Sequence, residues 1–254
     1  MKKWFLSFAL VAMFSGLSFG QLIDEKNVTI TMDMQPVLQL HMTTPDQIDF
    51  VFDDISEYYG GIIKYGATVL KVSSSVSWDL YAVGTSQAGT IWDQQMTYSG
   101  NNTNAIDALP ISLLELRQYE ANQYTTGFSG SWADYSTAFA PKEALVAGQN
   151  SIYYSATPYV IPGDANKYLQ GHDNVGTGNI NCAPGGSYLE QAFGTSDYYF
   201  TIDYRILPGL PAIFPAAGDN AGAPEDLVTV NGAGSYAMPG VYSMNVKYIL
   251  LEDQ

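Results

Sequence analysis

The 254-residue chain carries 25 acidic side chains against ten basic ones, a net charge of −15, although charged residues of both signs make up only 14% of it. A field of that sign repels nucleic-acid phosphates and anionic lipid headgroups, which excludes nucleic acid and the membrane surface as natural partners. The lone cysteine, Cys182, allows no intrachain disulfide, so stability has to come from a buried core.

The opening segment MKKWFLSFALVAMFSGLSFG sets Lys2 and Lys3 before an apolar run from Trp4 to Leu17, followed by small residues at Ser18 and Gly20. That is the layout of a secretory signal peptide over residues 1–20, with cleavage expected between Gly20 and Gln21. The run is shorter than the ~20 residues a bilayer span needs, and no later segment is apolar for long enough, so no membrane insertion is expected after signal removal. Loss of the two lysines leaves eight basic residues against 25 acidic ones, a net charge of −17. Residues 21–254 are expected to form a single exported domain at the cell surface, in the extracellular space or in the periplasm.

Strands dominate the first part. In NVTITMDM, Val28, Ile30, Met32 and Met34 alternate with Asn27, Thr29, Thr31 and Asp33, the period-two pattern of a sheet with one buried and one wet face. Pro36 interrupts it; Leu38, Leu40 and Met42 resume it with Gln39 and His41 opposite, and Ile48 to Phe52 offers another short strand. DDISEYYGG reads as a turn or loop. In KVSSSVSWDLYAV, Trp78 shares a face with Val76, Leu80 and Ala82, against Ser75, Ser77, Asp79 and Tyr81. A tryptophan in aliphatic company is expected in the core, against Tyr242, Met244 and Val246 or against Phe200 and Ile202, and not as a ligand platform.

The middle region, about residues 85–197, is dense in Gly, Asn, Ser, Tyr and Trp and is expected to elaborate one end or edge of the fold with hairpins and long loops. Within it, LPISLLELRQYEAN fits either a short helix opened by Pro110 or a strand. The C-terminal part returns to sheet. YYFTIDYRI sets Tyr198, Phe200, Ile202, Tyr204 and Ile206 against Tyr199, Thr201, Asp203 and Arg205. LVTV follows, and then VYSMNVKYIL turns Tyr242, Met244, Val246, Tyr248 and Leu250 inward. The expected fold is all-β, an antiparallel β-sandwich built from residues 27–83 and 198–251.

Catalytic groups are scarce. His41 lies on the polar face of a strand, and His172 stands beside Asp173 with no nucleophile elbow in the sequence; GFSGS around Ser129 lacks the second glycine an elbow requires. Paired carboxylates such as Asp53, Asp54 and Glu57 keep a glycoside hydrolase open as a minor alternative, although they sit in a turn-like cluster. No enzyme activity and no cofactor are expected; calcium is the one ion that the oxygen ligands Asp164, Asn166, Asp173 and Asn174 would suit. The better binding signal is aromatic. Trp92, Trp132, Tyr135, Tyr154 and Tyr159, with Tyr153 and Tyr168, fall outside the alternating strands, and flat rings on loops serve glycan stacking and protein adhesion alike.

GSYAMPGVYSMNVKYIL resembles the last strands of bacterial surface β-sandwich domains of the fimbrial and spore-coat-U types, and KVSSSVSWDLYAV is similar to the tryptophan strand of WxL-type surface domains. The second WxL motif and the paired cysteines common in fimbrial subunits have no counterpart here, and no functional residue is carried over. The resemblance implies an exported surface protein with a β-sandwich fold. The expected function is structural or adhesive, including self-assembly into a fibre or surface layer, with other protein chains or its own copies as partners. A carbohydrate-binding module that stacks glycans on the loop aromatics is the alternative.

Overall fold

A computed structural model of the protein describes residues 24–54, 57, 61–98, 105–119, 134–139, 150–155, 160–163, 167–171, 184–189, 197–206 and 236–253. They belong to two units, one ending at Gln35 and one beginning at Pro36. In the first, residues 24–35 form no strand, and Val28, Ile30, Met32 and Met34 are between 79% and 88% exposed. The strand expected over Asn27 to Met34 is therefore not made. Alternation supplies a face to bury, but a strand also needs a ladder for its N–H and C=O groups.

The second unit is all-β. Its strands are β1 (Leu38–Met42), β2 (Ile62–Ser74), β3 (Trp78–Thr85), β4 (Asp93–Thr97), β5 (Ala105–Ile106), β6 (Leu114–Gln118), β7 (Asp197–Ile206), β8 (Tyr236–Ala237), β9 (Gly240–Ser243) and β10 (Asn245–Glu252). The remaining element among the described residues is a 3-10 turn, Ile111–Leu113. LPISLLELRQ thus resolves into both readings in succession: Pro110 precedes the turn, and Leu114 opens β6. Ile48, Phe50 and Phe52 pack against the core without joining a strand ladder, and LVTV lies outside the described residues.

An antiparallel sheet of order β1-β2-β7-β6 is the largest layer. The period-two rule puts Leu38 and Leu40, Leu70 and Val72, Phe200, Ile202, Tyr204 and Ile206, and Leu114 and Leu116 on one face, and these form one apolar core. The β3–β10 pair contributes Trp78, Leu80 and Ala82 to the same core, with Val246, Tyr248 and Leu250 packed against it. Antiparallel β4–β9 and parallel β5–β8 complete the ladders. The inward set expected for the C-terminal segment is the observed one, although the chain breaks between β9 and β10 at Met244.

All eight residues of β3 are buried, including Asp79 and Tyr81, which the alternation assigned to a wet face. Tyr81 and Val83 pack with Tyr168, Tyr153, Ile249 and Leu251 in a second, smaller cluster that closes the strand's far side. The edge of β3 opposite β10 is closed by three separate pieces of the middle region. Trp78 N–H donates to Gly185 O (3.2 Å), Leu80 N–H to Gln170 O (2.8 Å) and Gly84 N–H to Tyr153 O (2.8 Å). Trp78 itself meets Phe200 edge to face at 6.3 Å, and its Nε1 donates to Gly186 O (3.2 Å). Gly185 lies so close to the indole that an added Cβ would fall 1.9 Å from Trp78 Cε2.

Trp78→Ala is expected to cost ~3–5 kcal/mol through the cavity left between the sheets. Tyr154→Ala, at an exposed ring, should change the unfolding free energy little. Urea unfolding of the two variants side by side checks this, and equal midpoints would contradict the packing.

Candidate functional site

Sheet edges come first, because unpaired backbone is a binding surface in its own right. Thr43 N–H donates to Val69 O and Ser75 N–H to Val37 O, so odd-numbered residues of β1 face β2. The N–H and C=O groups of Leu38, Leu40 and Met42 therefore point away from the sheet. Asp253 N–H donates to Ser77 O, which fixes the same parity in β10: Val246, Tyr248 and Leu250 direct their backbone groups away from β3. β1 and β10 lie close together with no ladder joining them among the described residues. Among the described residues, two unpaired edges thus stand next to each other, backed by half-buried apolar side chains.

The outer face of the four-stranded sheet carries the second feature. Register places Lys71 opposite both His41 and Tyr199, and Val69 opposite Thr201. Tyr119 N–H donates to Thr201 O (3.1 Å), which continues the row. Between Lys64 and Thr68 the β2–β7 register shifts, and three residues of β2, Tyr65 to Ala67, oppose Asp203 alone. Gly66 makes this bulge possible with φ +57°, and its N–H donates to Asp203 Oδ1 (2.7 Å). The other oxygen, Oδ2, accepts from the Tyr119 hydroxyl (2.7 Å). Asp203 is fully buried beneath both, and that hydrogen bond is the main cause that pushes the Tyr119 hydroxyl above its ordinary range. Tyr65, Tyr119 and Tyr199 are 52–69% exposed, with Arg117 over Tyr119 (5.0 Å) and Lys71 over Tyr199 (5.5 Å).

Further along the same face lies a buried polar cluster. Arg205 pairs with Glu115, its Nε donating to Oε2 (2.6 Å), and Phe139 covers the guanidinium at 4.7 Å. Burial pushes the Glu115 carboxyl up, against the pull of Arg205. Lys167 lies over the Tyr135 ring (5.3 Å) and is lowered to about 8 by burial, with Glu115 and Asp134 opposing. Sequence alternation had put Asp203 and Arg205 on a wet face; the segment 134–139 and Tyr119 cover them instead.

The residues singled out from sequence fare unevenly. Tyr135 is a core residue at 0% exposure, its hydroxyl accepting from Tyr153 N–H, so its ring offers no platform; Tyr168 is buried as well. Trp92 packs half-buried against the core, beside a shallow recess of about 500 Å³ formed with Gln87, Asp93, Gln95 and Asp107. Asp93 caps the turn there, accepting from Gln87 and Ala88 N–H. Tyr154 is exposed, beside Gly84 at the edge of β3 opposite β10. Trp132, Tyr159, His172 and the calcium candidates Asp164, Asn166, Asp173 and Asn174 lie outside the described residues, as does the signal segment. Glu57 Oε2 accepts from the N–H groups of Asp53 and Asp54 (2.9 and 3.2 Å), so that trio builds a turn. The exposed tyrosines of the sheet lie on or next to strands, outside the loop aromatics that the sequence singles out. Their signal was present in Tyr199, a ring at a wet position of an alternating strand.

No protein-family model matches the chain, and no curated protein matches it in sequence.

The Lys167 ammonium loses its proton more readily folded than unfolded, so between pH ~8 and ~10.5 the unfolded state binds more protons and this residue's contribution stabilises as pH rises. Burial raises Tyr135, Tyr204 and Tyr248, which acts in the opposite direction once unfolded tyrosines ionise near pH ~10. Melting temperatures of the unaltered protein and Lys167→Met, compared from pH 7 to 10, should therefore show the unaltered protein gaining on the variant. A gap that is the same at every pH would contradict the buried placement of the amine.

Proposed function

We propose that the protein is an exported structural component of the cell surface or extracellular matrix, a β-sandwich that associates with other chains, its own copies included, by strand addition. The observation that carries this reading is the segment Asn27 to Met34. Four large apolar side chains alternate along it, all of them at least 79% exposed, and its backbone joins no ladder. Soluble proteins rarely leave such a run uncovered without a partner for it. A neighbour's sheet edge supplies both missing requirements, hydrogen bonds for the backbone and pockets for alternate side chains. The open edges of β1 and β10, with Leu38, Leu40, Val246, Tyr248 and Leu250 behind them, are edges of that kind. The secretory layout of the first twenty residues and the resemblance to bacterial surface domains support the location.

Light scattering and electron microscopy of the mature protein are expected to find oligomers or fibres. Removal of residues 21–35, or the double change Ile30→Asp and Met32→Asp, should return it to monomers with an unchanged melting temperature, because these side chains contribute little to the core. A mature protein that stays monomeric and never attaches to cells or to itself would sink the reading.

A further inference from the structure

Tyr65, Tyr119 and Tyr199 come from three adjacent strands or their ends and converge on one side of one sheet. Tyr119 lies in the row of Thr201, and Tyr199 is two residues from Thr201 on the same side; such diagonal neighbours are ~7–8 Å apart, within reach of one another's rings. Two of the rings, and the backbone that carries the third, are held in place. Asp203 fixes the Tyr119 hydroxyl and, through Gly66, the bulge that carries Tyr65. The Lys71 and Arg117 cations hold Tyr199 and Tyr119. Rings fixed before binding lose little freedom on contact. A shallow recess of about 450 Å³ is shared by Tyr65, Lys64 and Asp49.

Charge separates the ligand classes. In a chain of net charge −15 this face holds two compensated pairs, since register sets Arg205 against Glu115 and Arg117 against Asp203, and one further cation, Lys71. A polyanion would find one positive charge on it beyond these pairs and repulsion around it. A polyhydroxylated, uncharged chain would find apolar ring faces for its C–H side and donors for its hydroxyls in Lys71, Arg117 and the tyrosine hydroxyls. The geometry points to a site for neutral polysaccharide on the outer face of the four-stranded sheet, with Tyr65, Tyr119 and Tyr199 as the stacking surface. The residues of this site are different ones from those proposed for assembly.

Affinity electrophoresis of the mature protein through gels containing hydroxyethyl cellulose, xylan, mannan or dextran tests it, with polygalacturonate and single-stranded DNA as polyanions. At least one neutral polysaccharide should retard the protein, to the same extent at low and high salt. Tyr199→Ala should weaken that retention by roughly fivefold to tenfold, and Tyr65→Ala with Tyr199→Ala should abolish it, with melting temperatures showing both variants folded. Lys71→Gln, which loosens the Tyr199 ring without removing it, should give a smaller loss and serves if the double variant fails to fold. Absence of retardation by all four neutral polymers overturns the proposal. So does retention by polyanions alone, or full retention in a folded variant lacking both rings.

Discussion

Burial of every residue in β3 is the constraint around which the second unit is arranged. A strand hidden on both faces needs two layers, and a strand hidden on both edges needs two sets of backbone partners. β10 supplies one edge, and Gly185, Gln170 and Tyr153 supply the other from three places in the middle of the chain. The middle region therefore helps make the core as well as decorating it. With no disulfide to tie these pieces down, each is held by backbone hydrogen bonds to β3 and by a close fit. At Gly171, an added Cβ would fall 1.7 Å from Asp79 Oδ1.

Polar groups follow from the same enclosure. Once the segment 134–139 covers part of the outer face, Glu115 and Arg205 must satisfy one another, and neither can be removed alone without leaving a buried charge behind. On the inner side, the hydroxyls of Thr68, Tyr204 and Tyr248 form a short chain that links β2, β7 and β10 across the core. Tyr248 would otherwise bury an unpaired donor between the sheets.

Much of this was legible in the sequence where one physical rule acted alone. The alternations of residues 200–206 and 242–250 gave the inward sets correctly, since period two depends on strand geometry and on nothing distant. Trp78 was assigned to the core for the same reason. The rule failed where a second layer intervened. Asp79, Tyr81, Asp203 and Arg205 read as wet because alternation reports two faces and says nothing of what is laid over the second one. Asn27 to Met34 failed in the opposite way, since its pattern is that of a strand but it joins no ladder among the described residues. Tyr135 illustrates the limit for sites: a tyrosine in a polar, glycine-rich stretch looked like a platform, and only the fold shows it enclosed by its own chain. Three exposed rings, Tyr65, Tyr119 and Tyr199, lie instead on strands or just past a strand end, and Asp203 anchors Tyr119 and the bulge that carries Tyr65.

The capped edge of β3 also bears on symmetry. With that edge closed and the edges of β1 and β10 open, the proposed pairing joins the N-terminal segment of one molecule to a different surface of the next. Where the second molecule does not return its own segment to the first, contacts between unlike surfaces do not close into a two-fold dimer; they repeat by a fixed rotation and translation until the assembly meets itself or runs out of subunits. Each added molecule brings one used surface and one fresh one, so an assembly built this way has a direction, with chemically distinct ends. A truncated copy lacking residues 21–35 would keep the accepting edge and lose the other surface, and would act as a terminator at one end only.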